Sequence, residues 1–363
     1  MNSGAAADDL KALDAAFLHY KVAKHDGKDV SAAPEIEALG CLLTSDHAEP
    51  APARLWQHVL DLCALLRAFT IRPDTFSSIL GVSQWFALLA RPLYSVFLAA
   101  YELARRTPEG VGVSIPGTVH SEVAVFLALL PLAVVDFRTP YADCLVSSDA
   151  TPTWGFGVSV APCSPDIVAK LCTLCPQRGD YVRLRGEDKA IQRLGTEHAL
   201  HMSVSDFTDV LSVQARHLDH SGIMEAHGCL LALQWCLRSP ARHRKRMVIL
   251  LDAMAVLFAV AKGRSSSGLN RVVQSIGAHV LAGRLRLSPL YTPTECMPSD
   301  GASRGRRRKP LVRRASKPRK PTALDLQVRR LERSYERLIA TGMLSDDDLA
   351  SASSTSTSCA SSD

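Results

Sequence analysis

Apolar positions recur every three or four residues in the first third of the chain, then change to strand-like runs after residue 143. Leu10, Leu13, Phe17 and Tyr20 keep helical spacing near the start. Leu55, Val59, Leu62, Cys63 and Leu66 make an apolar stripe within a helix predicted over 52–70. Pro73 and Asp74 separate it from a second helical stretch, 77–106, whose Arg105-Arg106 suits a helix C-terminus. A further helix is predicted over 119–136, interrupted at Pro131. Ala38-Leu39-Gly40-Cys41-Leu42-Leu43 reads as one buried strand, and residues 110–117 as a glycine-bearing loop.

From residue 143 the pattern predicts strands at 143–149 and 155–161, with 178–186 as a third. A helix follows at 222–238, then a buried strand at 247–252 and a helix at 253–263 closed by Gly263. Another helix, 269–283, leads into a strand at 285–291. Strands first, then alternation of helix and strand, predict an α/β fold: a mixed sheet with helices on its faces. Beyond it, Leu324, Val328, Leu331, Tyr335 and Leu338 mark an amphipathic helix over 324–339, suited to a partner helix or to self-association. Residues 351–363 are Ser/Thr-rich and read as disordered.

Composition adds three points. The length of 363 residues leaves room for two domains and tails. Ten of the 42 Lys and Arg fall between Arg304 and Lys320, which hold no acid, so the rest of the chain, with 36 acids, is slightly acidic. Such a block reads as a solvated arm for nucleic acid or as a nuclear-import signal. Cys172 and Cys175 form one CxxC near Cys163, with no second pair at zinc-finger spacing, so free thiols in a reducing compartment is the plain reading. The apolar stretches 123–135 and 247–261 fall short of the ~20 residues of a membrane span. With no apolar signal core at the start, these features predict an intracellular protein, cytoplasmic or nuclear, without a membrane partner.

Four acids carry the candidate chemistry. Asp149 ends the run Cys144-Leu145-Val146-Ser147-Ser148, and Asp252 ends Val248-Ile249-Leu250-Leu251. Glu225 lies in the first turns of the helix at 222–238, and Asp300 starts a last short helix. Carboxylates at the ends of neighbouring strands, about 4.8 Å apart, can share a pair of divalent ions. Mg²⁺ favours such all-oxygen ligands, with Mn²⁺ the alternative. Each acid also has a plainer reading: Asp252 as the cap of the helix that follows it, Glu225 as a complement to a helix dipole, Asp149 as a turn-former.

The order and setting of these acids resemble a family. Ser148-Asp149-Ala150 followed by Trp154-Gly155 resembles the first-strand signature of retroelement RNase H domains. Met224-Glu225-Ala226 with Leu230-Leu231-Ala232-Leu233 resembles their first helix. Leu251-Asp252, then Ala261-Lys262-Gly263-Arg264-Ser265-Ser266, resembles the segment that closes in Lys-Gly-Arg-Ser. Tyr291-Thr292-Pro293 and Asp300-Gly301-Ala302-Ser303-Arg304 resemble the closing pattern. The resemblance spans residues 143–305. It implies an RNase H-like mixed sheet flanked by helices, and Mg²⁺-dependent cleavage of the RNA strand of an RNA–DNA hybrid. Asp149, Glu225, Asp252 and Asp300 would be the ligands of two ions. Arg264, Ser265 and Ser266 are candidate phosphate contacts, with Arg242, Arg244 and Lys245 a second basic set. Departures are Ala253 where the family has Asn, and Cys296-Met297 before Asp300. The 76-residue step from Asp149 to Glu225 is long for such a domain and predicts an insertion within 163–215.

Residues 1–138 resemble, more loosely, the C-terminal end of a reverse transcriptase: a palm end at Val30–Thr44, then a helical segment with Trp85 and Arg91-Pro92-Leu93. The adjacent aspartates, Asp8-Asp9 and Asp346–Asp348, lack the apolar hairpin setting a polymerase needs, so DNA synthesis by this chain is not expected. Residues 306–363 would be linker, helix and tail. The alternative to an active nuclease is a catalytically degenerate or domesticated nucleic-acid-binding relic of such an element.

Overall fold

A computed structural model of the chain describes residues 3–23, 33–106, 111–174, 180–185, 195–265 and 267–308. Helix α1 (Ser3–His19) carries Asp8-Asp9. Strands β1 (Glu35–Ala38), β2 (Cys41–Thr44) and β3 (His47–Pro50) follow as an antiparallel meander. The run 38–43 is therefore not one strand. Ala38 pairs with Cys41 across a two-residue turn in which Leu39 (φ 53°) and Gly40 (φ 75°) are both left-handed. That turn matches the twist of antiparallel strands, and it leaves Leu39 exposed.

Helix α2 (Pro52–Arg67) begins with a proline, which fits a first turn because its missing N–H has no partner to lose. Strand β4 (Thr70–Ile71) and helix α3 (Pro73–Ala87) come next. The stretch 77–106 is broken rather than continuous: α3 ends, a 3₁₀ segment spans Arg91–Val96, and α4 covers Ala99–Arg106. Pro92 cannot extend a preceding helix. Strand β5 (Val113–Ser114) pairs with β4, and helix α5 (Gly117–Leu129) stops before Pro131. Glu122 of α5 caps α4, its carboxylate accepting the N–H groups of Leu98, Ala99 and Ala100 at 2.8–3.0 Å. Strand β6 (Val135–Asp136) pairs back with β3. Leu62, Phe76, Phe86, Phe97 and Phe126 centre this first core.

The second half is built on one sheet. Its elements are β7 (Tyr141–Ala150), β8 (Gly155–Pro162), α6 (Pro165–Thr173), β9 (Tyr181–Arg185), β10 (Glu197–Ser203), β11 (Thr208–Gln214) and α7 (Ser221–Leu237). They continue with β12 (Arg246–Leu251), α8 (Met254–Lys262), α9 (Ser267–Ala282), β13 (Arg286–Tyr291) and α10 (Asp300–Ser303). The five-stranded sheet runs β11-β8-β7-β12-β13. β8 is antiparallel to both its neighbours, β11 and β7, whereas β7, β12 and β13 are parallel. The fold is thus mixed α/β, with helices on the sheet.

Parallel strands need crossovers, which α7, α8 and α9 supply, and both faces become buried. This is why β12 is apolar throughout. Met247, Ile249 and Leu251 meet Cys229, Leu233 and Ile276 on the α7/α9 face. Val248 and Leu250 meet Val168, Leu171, Val182 and Leu200 on the other. The described residues between 163 and 207 therefore cover the second face of the sheet. The strand predicted at 178–186 exists as β9, but it pairs in parallel with β10 in a separate two-stranded sheet. The third strand of the main sheet is β11, a half-exposed edge strand bulged between Asp209 and Leu211.

At the other edge, Arg286 N and Thr292 N donate to Lys245 and Leu251 carbonyls. Alternation then turns Pro289 outward, the orientation in which a strand tolerates proline.

The two halves are laced together. Asn270, buried, and Gln274 on α9 both donate to the Ser95 carbonyl, and Arg91 donates to that of Ala261. Gly263 (φ 75°) closes α8, and a Cβ there would overlap the Arg91 carbonyl. Residues 1–310 form one unit and 311–363 a second. The predicted helix 324–339, the Ser/Thr-rich tail, Cys175 and Ser266 lie outside the described residues. No helix among the described residues is long and apolar enough to cross a membrane.

Candidate metal centre

Asp149 sits at the end of β7 and Asp252 directly after β12. The two strands are parallel neighbours, with Leu250 opposite Ser147. Two residues further along the same register, Asp252 falls beside Asp149. The third acid comes from α7. Gly228 lets that helix approach β7 so closely that a Cβ there would lie 3.3 Å from the Asp149 carbonyl. One turn earlier, Glu225 reaches the strand end and accepts the Ala150 N–H at 3.1 Å. Carboxylate oxygens of Asp149, Glu225 and Asp252 all lie within 4.8 Å of one another, a group that can hold a metal ion.

The electrostatics follow from this crowding. Asp149 is 4% exposed. Burial, then the Asp252 charge, push its pKa up to about 7, against a lowering hydrogen bond from Ser303 Oγ to Oδ2. Glu225 is raised to about 9 by burial and by the charges of Asp252 and Asp149. Asp252 accepts the Thr294 hydroxyl at 2.9 Å. Its plainer role as a helix cap does not hold: Ala253 is the N-cap of α8, and no side chain caps it. Glu225 likewise stands past the first turn of α7, which has no acid and is capped by His220.

Asp300 stands apart from the three. Its Oδ1 is held by Arg304 Nη2 at 2.8 Å and Nε at 2.9 Å. Both charges still reach Asp149 electrostatically. Asp300 and Ser303 belong to α10, which lies against the backbone of β8 because residue 157 is glycine. A Cβ there would overlap Ser303 N and Ser299 O. Ser299 also hydrogen-bonds Ser147 of β7 at 2.7 Å.

The basic candidates are not gathered at this centre. Arg264 lies over the rings of Tyr101 (4.8 Å) and Tyr94 (5.9 Å), and Ser265 N donates to Asn270. Both thus sit at the joint between the two halves. Arg242 stacks on Trp235 at 3.9 Å. Arg244 and Lys245 precede β12, whereas Asp252 follows it, so about 20 Å of strand separates them. Cys163 and Cys172 have thiol pKa values raised by burial. Among the described residues, Asp149, Glu225 and Asp252 form the one metal-competent group.

Sequence reasoning named Ser303 within the closing motif without giving it a role, and passed over Thr294 and the part played by the two glycines that admit α7 and α10. It also passed over Asp209. That side chain is fully buried on β11 and accepts Ser159 Oγ at 2.7 Å, the Arg308 N–H at 2.6 Å and the Arg308 guanidinium. Burial alone would raise its pKa, but the bonds from Arg308 and Ser159 outweigh it and leave the carboxyl low. The start of the basic block, which reads as a solvated arm, is therefore anchored at Arg304, Arg307 and Arg308.

No protein-family profile matches the chain, and no curated protein matches it.

Proposed function

We propose that this chain is a Mg²⁺-dependent RNase H-type endonuclease from a retroelement polyprotein, cutting the RNA strand of RNA–DNA hybrids. Residues 1–138 are then the end of the preceding reverse transcriptase. One observation carries the reading: three acids distant in sequence, each in a motif resembling that family, converge within 4.8 Å at the ends of two central parallel strands. The donor set suits a hard cation, being all carboxylate with no His or Cys. Its raised pKa values express a surplus of buried negative charge that a divalent ion would offset.

Asp149, Glu225 and Asp252 would hold the metal. When bound, divalent ions supply Lewis-acid polarisation of a phosphate oxygen and make water a better nucleophile at neutral pH. The chain's own groups fix the ligands: Ser303 orients Asp149, Ala150 N–H orients Glu225, and Thr294 orients Asp252. Hybrid recognition would rest on groove shape and ribose hydroxyls rather than base sequence.

The test is cleavage of a labelled hybrid with Mg²⁺ by the parent and by Asp149→Asn. A loss of more than about 100-fold in the variant, with folding intact, is expected. A folded parent that binds the hybrid without cutting it would leave the second reading, a nucleic-acid-binding relic. The engagement of Asp300 by Arg304, away from the cluster, favours that second reading.

A further inference from the structure

We propose that Arg244, Arg284 and Arg286 form a phosphodiester clamp at the end of the main sheet opposite the carboxylates, giving a nucleic-acid strand a second hold. The choice of nucleic acid as ligand rests on the proposed function; the site itself rests on its own geometry.

β12 and β13 are parallel and in register from Arg246 opposite Arg286. The loops that enter them therefore lie side by side. Arg244 N donates to the Gly283 carbonyl at 2.8 Å, and Arg286 N to that of Lys245 at 2.9 Å. Within this lacing, Arg244 (φ 52°) and Arg284 (φ 48°) are both left-handed. Glycine takes that conformation without penalty and arginine does not. Two adjoining loops thus each keep an arginine where glycine would fit, and both side chains line one open groove together with Arg286.

Asp136 is the one acid among the residues lining that groove. Its carboxylate accepts the Arg138 N–H, while its carbonyl accepts Arg286 Nη1 at 3.2 Å. Arg246 is engaged by Tyr141 and the Phe137 carbonyl. The guanidinium groups of Arg244 and Arg284 have no hydrogen-bond or ion-pair partner among the described residues, and both residues are exposed. Arg286 is exposed as a residue, yet partial desolvation and the neighbouring Arg246 outweigh the Asp136 charge and hold its pKa below the ordinary value, a cost that a bound anion reverses. Guanidinium forks match phosphate oxygens in shape and charge.

Six strand residues at ~3.3 Å each put the clamp about 20 Å from the carboxylates. At ~3.4 Å per nucleotide of one strand, that is about six nucleotides. A hybrid reaches both places only if it extends about that far beyond the cut.

The glycine-compatible backbone provides a clean variant. Arg244→Gly with Arg284→Gly removes two charges while relieving two left-handed residues, so folding should be kept; a melting curve verifies this. Binding of a labelled hybrid of about 20 base pairs is measured in chelator, so that no cleavage intervenes, over a series of salt concentrations. Each phosphate that the protein neutralises contributes ~0.9 to the slope of log K against log salt, so the double variant should show a slope shallower by about 1.8. A hybrid of about four base pairs should bind parent and variant alike. A folded double variant with the parent's slope on the long hybrid overturns the clamp, whatever the cleavage assay shows. A shallower slope in a protein that does not cut would retain the clamp and sink the nuclease.

Discussion

Asp149 and Glu225 set the pH behaviour of the metal-free protein. Both are raised above the ordinary carboxyl range, to about 7 and about 9. The folded state thus binds their protons more tightly than the unfolded state does. Their stabilising contribution is complete below the ordinary carboxyl pKa and is lost as pH rises through 7 and then 9. The unfolding midpoint in chelator should therefore fall between pH 5 and pH 9, and Mg²⁺ should restore it more at pH 8 than at pH 5. Glu225→Gln should raise the chelated midpoint at pH 8 and blunt the response to Mg²⁺. A chelated midpoint that is flat or rising over this window, or an unaltered Glu225→Gln protein, would contradict the charge crowding. Asp209 has the opposite sign: its lowered pKa stabilises above the ordinary carboxyl range and is lost on acidification. Arg308→Met would strand that buried carboxylate, at a cost of about 3 kcal/mol by urea denaturation. Asp209→Asn combined with it should recover part of the loss.

At the level of elements, the placement of α10 depends on a residue without a side chain. Gly157→Ala would force α10 off β8, with a stability cost of about 1–3 kcal/mol. It should also break the bond from Ser303 to Asp149, so metal affinity should fall even well below the melting temperature. Gly228→Ala, whose Cβ would meet its neighbour at 3.3 Å, should be milder on both counts. Equal effects of the two substitutions would show that α10 is not the sensitive element.

The same contrast explains what was legible. β12 announces itself as five consecutive apolar residues, and the acid after it marks the strand end, so Asp252 could be placed. Asp149 and Glu225 likewise stand inside strong local patterns. Ser303 could not be placed, because its contact depends on packing between α10 and β8 that no periodicity encodes. β11 was hidden because Thr208-Asp209-Val210-Leu211-Ser212 mixes polar and apolar residues on a bulged edge. The turn at Leu39-Gly40 was hidden because a leucine in the left-handed region reads as part of an apolar run.

For the whole molecule, the joint between the halves is a buried polar seam rather than a loose tether. Asn270 is 1% exposed and meets Ser95 across it, with Arg264 on two tyrosine rings beside it. A fragment starting at residue 139 would expose that face and take the Ser95 carbonyl from the Asn270 side-chain amide. It should unfold at a lower denaturant concentration than the parent. A fragment with the parent's midpoint would mean that the halves are energetically independent.

The outward Pro289 on β13 and the bulge in β11 have a bearing on crowding. A foreign strand laid along β13 finds no N–H at 289, and along β11 it meets a broken ladder, with Arg307 already occupying the Asp209 carbonyl. Neither flank is an easy template for another chain's backbone, so high concentration should not by itself drive edge-to-edge polymerisation through this sheet.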